Sequence, residues 1–367
     1  MAEKPLPLER EIGRLISVAG PMSVADYMRL CLTHPQYGYY MTRDPLGVQG
    51  DFITAPEISQ MFGELIGLWM AAVWRQLGGP GNIHIIELGP GRGTLMLDAL
   101  RAAKVVEGFS AAIGVHLVEI SPALQQLQKQ RLAALQVPID WYDALSEVPG
   151  GPCIIIANEF IDALPIHQAV KRPGGWHERI IEIAANGDLV FGLEYDPLPQ
   201  FEATVPRGLR DGPDASIFEW RSDSIALEIG RRVREDGAAL ILDYGHAKSA
   251  VGDTLQAVVG HAYGDPLRTP GQVDITAHVD FEALAHLGEI IGARVHGPIL
   301  QRDFLLHLGI DKRAAALKAR ATPEQAQEID LALSRLTATG PRGMGELFKA
   351  LAIADAKLGD LPGFSAP

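Results

Sequence analysis

The stretch IHIIELGPGRGT at residues 83–94 says more about the architecture than any other. A run of branched apolar residues ends in Glu87, and Gly89, Gly91 and Gly93 follow, interleaved with Pro90 and Arg92. An apolar run that breaks into a glycine turn reads as a buried strand, a tight turn and the start of a helix. Working outward, GVHLVE (114–119) leads to a helix over 122–134, with Ser121 as its cap and Pro122 at its first position. A short strand follows near 138–142, then CIIIANE (153–159) and GAALILDYG (237–245). Apolar strands separated by helices predict a parallel, doubly wound α/β sheet covered on both faces.

The flanks read differently. Residues 8–19 and 23–33 are expected as helices, 34–57 as an ordered loop, and 57–77 as one long helix with Met61, Leu65, Leu68 and Ala72 on its apolar face. Segments 166–171, 177–184 and 188–194 alternate like antiparallel strands, with a turn at Asn186-Gly187-Asp188. A loop over 195–215 and a helix over 219–235 follow, and the Ala-rich run 310–360 predicts a helical tail. The expected units are a helical segment over 1–80 that covers the active site, a core over 81–310 with an insertion at about 165–215, and a tail over 311–367.

A net charge of −13 argues against nucleic-acid binding, which needs a positive surface. No apolar run reaches the roughly 20 residues that span a bilayer, and the N-terminus carries no targeting pattern. Cys31 and Cys153 offer neither metal-ligand spacing nor a disulfide scaffold. The expectation is a bacterial cytoplasmic protein without a metal.

The turn discriminates between cofactors. A dinucleotide fingerprint wants G-x-G-x-x-G, but Thr94 stands where its third glycine belongs, and no phosphate-cradling G-x-x-x-x-G-K-[ST] occurs. Acids mark the strand ends instead: Glu87, Glu119, Asp143, Asn158 with Glu159, and Asp243. Acids also favour helix N-termini for the dipole alone, but the set as a whole suits S-adenosylmethionine. Its ammonium calls for an acid after the first strand, Glu87, and its ribose hydroxyls for a carboxylate after the second, Glu119. Gly89, Gly91 and Gly93 would give the close backbone approach. Asp143 is placed for the adenine amino group, and Leu88 and Ile120 for the adenosine wall.

ELGPGRGT followed by HLVE resembles the first two motifs of the class I S-adenosylmethionine-dependent methyltransferases, whose fold is Rossmann-like. The chain as a whole is similar to the MidA family within them. The resemblance is carried by YGYYMTRDPLGVQGDFITAPEISQMFGELIG (37–67), ELGPGRGTLM (87–96), LVEISP (117–122), ANEFIDALPIHQ (157–168), LILDYGH (240–246), TLQA (254–257) and DITAHVDF (274–281). Mitochondrial members of that family are arginine methyltransferases that assist assembly of respiratory complex I, in the mitochondrial matrix. The resemblance therefore implies a protein substrate, an arginine of a quinone-proximal subunit of NADH dehydrogenase.

A guanidinium resists deprotonation, so its methylation calls for carboxylates that localise its charge on one nitrogen. Glu159 and Asp162 in ANEFIDALP are the candidates, with Asn158 as a positioning group. The loop GDFITAPE offers Asp51 and Glu57, although Thr54 and Glu57 also match a helix capping box. His246 and His278 lie near strand ends, where structural histidines are commoner than catalytic ones, and Tyr37, Tyr39 and Tyr40 read first as packing. Three rivals stand beside this reading: a small-molecule O- or N-methyltransferase, a noncatalytic assembly factor that binds the cofactor, and a nicotinamide-dependent oxidoreductase. Arg92 could pair with the cofactor's carboxylate or face solvent. Gly91→Val is expected to abolish cofactor binding, because a branched side chain fills the space needed for close approach. Calorimetric titration with S-adenosylmethionine and with NAD checks this, and unchanged affinity in a folded variant refutes it.

Overall fold

The chain is described by a computed structural model over residues 6–42, 54–259, 262–340 and 343–365. Its N-terminal part comprises α1 (Pro7–Ala19), β1 (Met22–Ser23), α2 (Val24–Thr33), α3 (Tyr39–Thr42), α4 (Ala55–Ile58) and α5 (Gln60–Gln76). Ser23 caps α2 as expected, its hydroxyl accepting the Asp26 N–H at 3.0 Å. The single helix expected over 57–77 is two. Ser59 is extended (φ −161°, ψ 137°), and its hydroxyl accepts the Met61 N–H at 3.2 Å, which starts α5 afresh. The buried stripe of α5 runs through Met61, Leu65, Ile66, Trp69, Met70 and Val73, while Leu68, expected inside, is exposed.

The central sheet draws on β2 (Ile83–Leu88), β3 (Ile113–Val118), β4 (Ile139–Tyr142) and β5 (Cys153–Asn158), with α6 (Thr94–Ala103), α7 (Phe109–Ala112) and α8 (Pro122–Leu132) between them. The insertion holds β6 (Ile166–Arg172), β7 (Gly175–Ile183), β8 (Leu189–Leu193) and β9 (Ile217–Arg221). Then come α9 (Ser224–Val233), β10 (Gly237–His246), β11 (Gln256–Val259), β12 (Ala262–Gly264), β13 (Asp274–Thr276), β14 (Val279–Asp280), α10 (Phe281–Ile290) and β15 (Arg294–Leu300). The chain ends in α11 (Gln301–His307), α12 (Ile310–Lys318), α13 (Pro323–Thr337), α14 (Met344–Leu347) and β16 (Phe348–Ala354).

Strand order in the main sheet is β15-β16-β10-β5-β2-β3-β4, and β4 through β10 are parallel. The chain starts at β2, runs outward to β4, and returns on the other side through β5 and β10. The order therefore reverses between β2 and β5, where open α/β sheets bind their ligands. Strand β5 is buried along its whole length, as its apolar run requires.

Two expectations fail for stated reasons. Residues 217–221 form β9, which pairs with β6, so the helix expected from 219 begins only at Ser224. The tail is helical only as far as Leu347; FKALAIA then forms β16, buried at every position and antiparallel to both β10 and β15. Alanine and leucine favour helices locally, but burial on both sheet faces overrides a weak propensity. Lys349 is tolerated there because its ammonium donates to the carbonyls of Gly245, Glu346 and Leu347 at 2.7–2.9 Å.

In the insertion, β7 also takes β8 and, from the N-terminal part, β1 as antiparallel neighbours. The expected turn at 186–188 closes the β7–β8 hairpin. The run over 195–215 folds back through short 3₁₀ turns at Phe201–Ala203 and Arg207–Leu209. Phe201 joins Trp176, Phe218 and Val205 in a small aromatic core.

Helices α5 and α6 cross at close range over the sheet. A Cβ on Gly67 would lie 2.0 Å from the Ala99 carbonyl oxygen, which is backbone and cannot swing aside. Gly67→Ala is therefore expected to destabilise the fold by about 2 kcal/mol or more by overpacking. Denaturant unfolding checks this, and an unchanged midpoint would contradict it.

Candidate active site

A cavity of about 430 Å³ opens at the strand-order reversal, within the size range of small-molecule sites. One wall is the turn after β2. Gly89 and Gly91 lie there at φ +61° and +53°, values L side chains rarely adopt. Gly93 is the N-cap of α6 and packs against Gln128 and Leu132. Thr94 begins α6 and lines the cavity.

Glu87 ends on this wall, buried, with Oε2 accepting no hydrogen bond from the described residues. Burial first, then the neighbouring Glu119 charge, pushes it up to about 8. Glu119, just past β3, is also buried. Its Oε1 accepts the Ser121 N–H at 2.8 Å and its Oε2 the Gln128 amide at 3.2 Å. Burial raises it to about 7 against those bonds. Ile120 and Asp143 complete this half, both exposed at the cavity's edge.

The other half belongs to the segment after β5. Asn158, Glu159 and Asp162 all line the same cavity. Glu159 adopts φ +50°, a left-handed conformation unusual outside glycine. Its Oε1 accepts the Ala55 N–H at 2.9 Å and the Asn158 amide at 3.3 Å. Burial pushes Glu159 up to about 7. Asp162 Oδ1 and Asn158 Oδ1 are buried with no donor among the described residues. Burial raises Asp162, while Tyr244 and the Arg221 charge pull it down.

Several groups behind these residues carried no clear signal. Asp243, noted only as a strand-end acid, is fully buried and takes the N–H groups of Phe160, Ile161 and Asp162 on Oδ2 at 2.9–3.2 Å. Arg221 donates to the carbonyls of Asp162, Leu164, Ala277 and His278 at 2.7–3.2 Å. Its strand, IFEWR, alternates apolar and polar residues, and that was the missed cue. Tyr40 and Asp274 also line the cavity, joined by a 2.9 Å hydrogen bond.

The capping box expected at Thr54–Glu57 does not form. Thr54 makes no side-chain cap, and the Glu57 carboxylate instead takes the Thr94 hydroxyl and the Arg131 guanidinium. Asp51 lies outside the described residues. His246 and His278 are not on the cavity wall. The His278 carbonyl accepts from Arg221, and the His246 ring stands 3.9 Å from Asp280. Tyr37 stacks on His34 and Tyr39 is core, so of the three tyrosines only Tyr40 reaches the cavity.

The residues present fit the cofactor that the sequence suggests. Glu87 offers an unpaired acceptor for an ammonium, the turn offers close backbone, and Glu119 offers a fixed carboxylate for hydroxyls. A cation bound at Glu87 must displace the proton held there below about pH 8, so affinity is expected to weaken as pH falls. Stability has the opposite sign. A buried carboxyl raised from 4.5 to about 8 binds more protons folded than unfolded in that window, so this group's contribution is lost as pH rises through it. The rise in melting temperature given by S-adenosylhomocysteine should therefore be larger at pH 8 than at pH 6; a smaller rise at pH 8 would contradict the assignment of Glu87.

Comparison with known proteins points to the same cofactor. The profile of a family described as S-adenosyl-L-methionine-dependent methyltransferases matches residues 65–299. The mitochondrial protein arginine methyltransferase NDUFAF7 homolog of Drosophila melanogaster is 38% identical over 377 residues, 94% of this chain and 84% of its own. The Homo sapiens protein arginine methyltransferase NDUFAF7, also named mitochondrial, is 37% identical over 383 residues, with 96% and 84% covered. A Burkholderia thailandensis protein crystallised with S-adenosyl-homocysteine superposes with a TM-score of 0.83 at 29% identity, covering 100% of this chain and 98% of that one. The chain belongs to this family of S-adenosylmethionine-dependent methyltransferases.

Proposed function

We propose that the chain methylates an arginine side chain of a protein, and that the protein is the quinone-proximal subunit of NADH dehydrogenase during assembly of the complex. The arginine reading is supported by the names of the relatives, and the subunit is what the resemblance to the MidA family implies. We place the reaction in the bacterial cytoplasm, where the mitochondrial relatives would have their matrix counterpart. No helix among the described residues is long and apolar enough to cross a membrane.

One observation carries the substrate class. Asp162 Oδ1 and Asn158 Oδ1 are buried and have no donor among the described residues, and both residues line the same cavity as Glu87. Buried acceptors without donors are costly unless a ligand supplies them. A guanidinium brings five N–H donors in a planar fork and a charge that offsets the acids. In this reading Asp162 and Asn158 orient the fork, and Glu159, held by the Ala55 N–H and by Asn158, draws the positive charge away from the reacting nitrogen and receives its proton. The bound cofactor supplies an electrophilic methyl group. Glu87 and Glu119 hold its two ends, and α4 screens the cavity from water beside Glu159.

The test is incubation with labelled cofactor and the quinone-proximal subunit from cells lacking the enzyme, followed by mass spectrometry for methylarginine. Asp162→Asn and Glu159→Gln are each expected to lower turnover by about a hundredfold or more, with S-adenosylhomocysteine affinity kept within about twofold. Label appearing only on a small molecule, or turnover unaffected by either substitution, would overturn the reading.

A further inference from the structure

Helix α8 carries a buried amide where its pattern calls for a hydrocarbon. Its inward positions are Leu124, Gln128 and Leu132, spaced four apart, and Gln128 is fully buried between the two leucines. Every polar atom of that side chain is engaged. Its Oε1 accepts the Trp141 indole N–H at 2.8 Å. Its Nε2 donates to the Gly91 carbonyl at 2.7 Å and to Glu119 Oε2 at 3.2 Å. The indole, a donor only, fixes which end of the amide is oxygen. Both amide hydrogens must therefore face the glycine turn and the acid of the next strand.

We propose that Gln128 is a positioning residue for cofactor binding, locking the Glu119 carboxylate in register with the Gly91 turn so that it meets both ribose hydroxyls. The proposal rests on the reading of Glu119 as the ribose-binding acid. Ser121 N–H takes one carboxylate oxygen and Gln128 the other, so the plane of the carboxylate is set from two sides. A carboxylate has about four acceptor sites, and one on each oxygen stays available to the cavity that Glu119 lines. The bond to the Gly91 carbonyl ties the turn, whose backbone would lie against the cofactor, to the same side chain. One amide thus fixes the spacing between two strand ends. No packing role requires this, since leucine would continue the apolar stripe.

Calorimetric titration of the full chain with S-adenosylhomocysteine, and with its analogue lacking both ribose hydroxyls, tests the proposal. In the unmodified protein, removal of the hydroxyls is expected to weaken binding by about a hundredfold. Gln128→Leu is expected to weaken S-adenosylhomocysteine by about tenfold and to reduce that discrimination to about tenfold, because the two losses share one interaction. Gln128→Met, unbranched and of similar length, is expected to behave alike and serves if the leucine variant does not fold. Discrimination between the two ligands unchanged from wild type in a folded Gln128 variant would overturn the proposal. Glu119→Ala separates the two ideas. If it binds both ligands like wild type, the reading of Glu119 itself fails, whereas loss in Glu119→Ala with none in the Gln128 variants removes only the role of Gln128.

Discussion

At the end of β10, the carboxylate of Asp243 holds the chain that leaves β5. Phe160, Ile161 and Asp162 give it three consecutive backbone N–H groups, and Tyr244 gives a fourth. Three of these bonds converge on Oδ2 and one reaches Oδ1. The segment after Asn158 curls around this carboxyl group instead of running on into a helix, and Glu159 takes the left-handed conformation that begins the curl. That conformation costs on the order of 1 kcal/mol or more, and the fourfold capture holds it in place. Arg221 secures the far side through four carbonyls. Side chains 158, 159 and 162 consequently reach the cavity from rigid backbone.

The same arrangement explains the charge state of the site. Glu57, Glu87, Glu119, Asp143, Glu159, Asp162 and Asp274 line the cavity, and Arg92 is the cation among its described lining residues. Burial raises Glu87, Glu119 and Glu159 toward neutrality. A fold selected for stability alone would replace such groups by apolar ones or pair them. Retaining them makes sense where the ligands are cations that supply the missing donors, as an ammonium and a guanidinium both do. The strain at Glu159 and the burial of Glu87, Glu119 and Glu159 are thus two expressions of one functional demand.

How much of this is legible in sequence depends on whether the cause is local. The β2 turn and the parallel strands are written in contiguous residues: branched apolar runs, glycines at fixed spacing, an acid at each strand end. Strand β16 is not, because its alanines and leucine favour a helix and only neighbours β10 and β15 make a strand of them. The break at Ser59 was hidden because a serine inside an apolar helical pattern is usually tolerated. Gln128 and Arg221 act through carbonyls, carboxylates and an indole brought near only by folding, so the apolar stripe of α8 and the alternation of IFEWR mark their places but not their partners. Glu57 shows the converse. Thr-x-x-Glu has the spacing of a capping box, yet tertiary partners claim the carboxylate.

That displacement of Glu57 bears on how the two halves of the site are joined. Helix α4 has only four residues and would not persist alone. Its first N–H is held by Glu159 after β5, and its glutamate is held by Thr94 and Arg131 beside the glycine turn. Thr94 opens α6 directly after the glycine turn, and Arg131 lies one turn beyond Gln128 on α8. The acid after β5 and the helices that frame the cofactor turn therefore share one short rod. A shift of α4 would move Glu159 relative to Thr94, and with it one half of the cavity relative to the other. Reacting groups must be held close and aligned for a displacement to proceed, and α4 is fixed from its other end as well, by α5, which packs into the core of the main sheet.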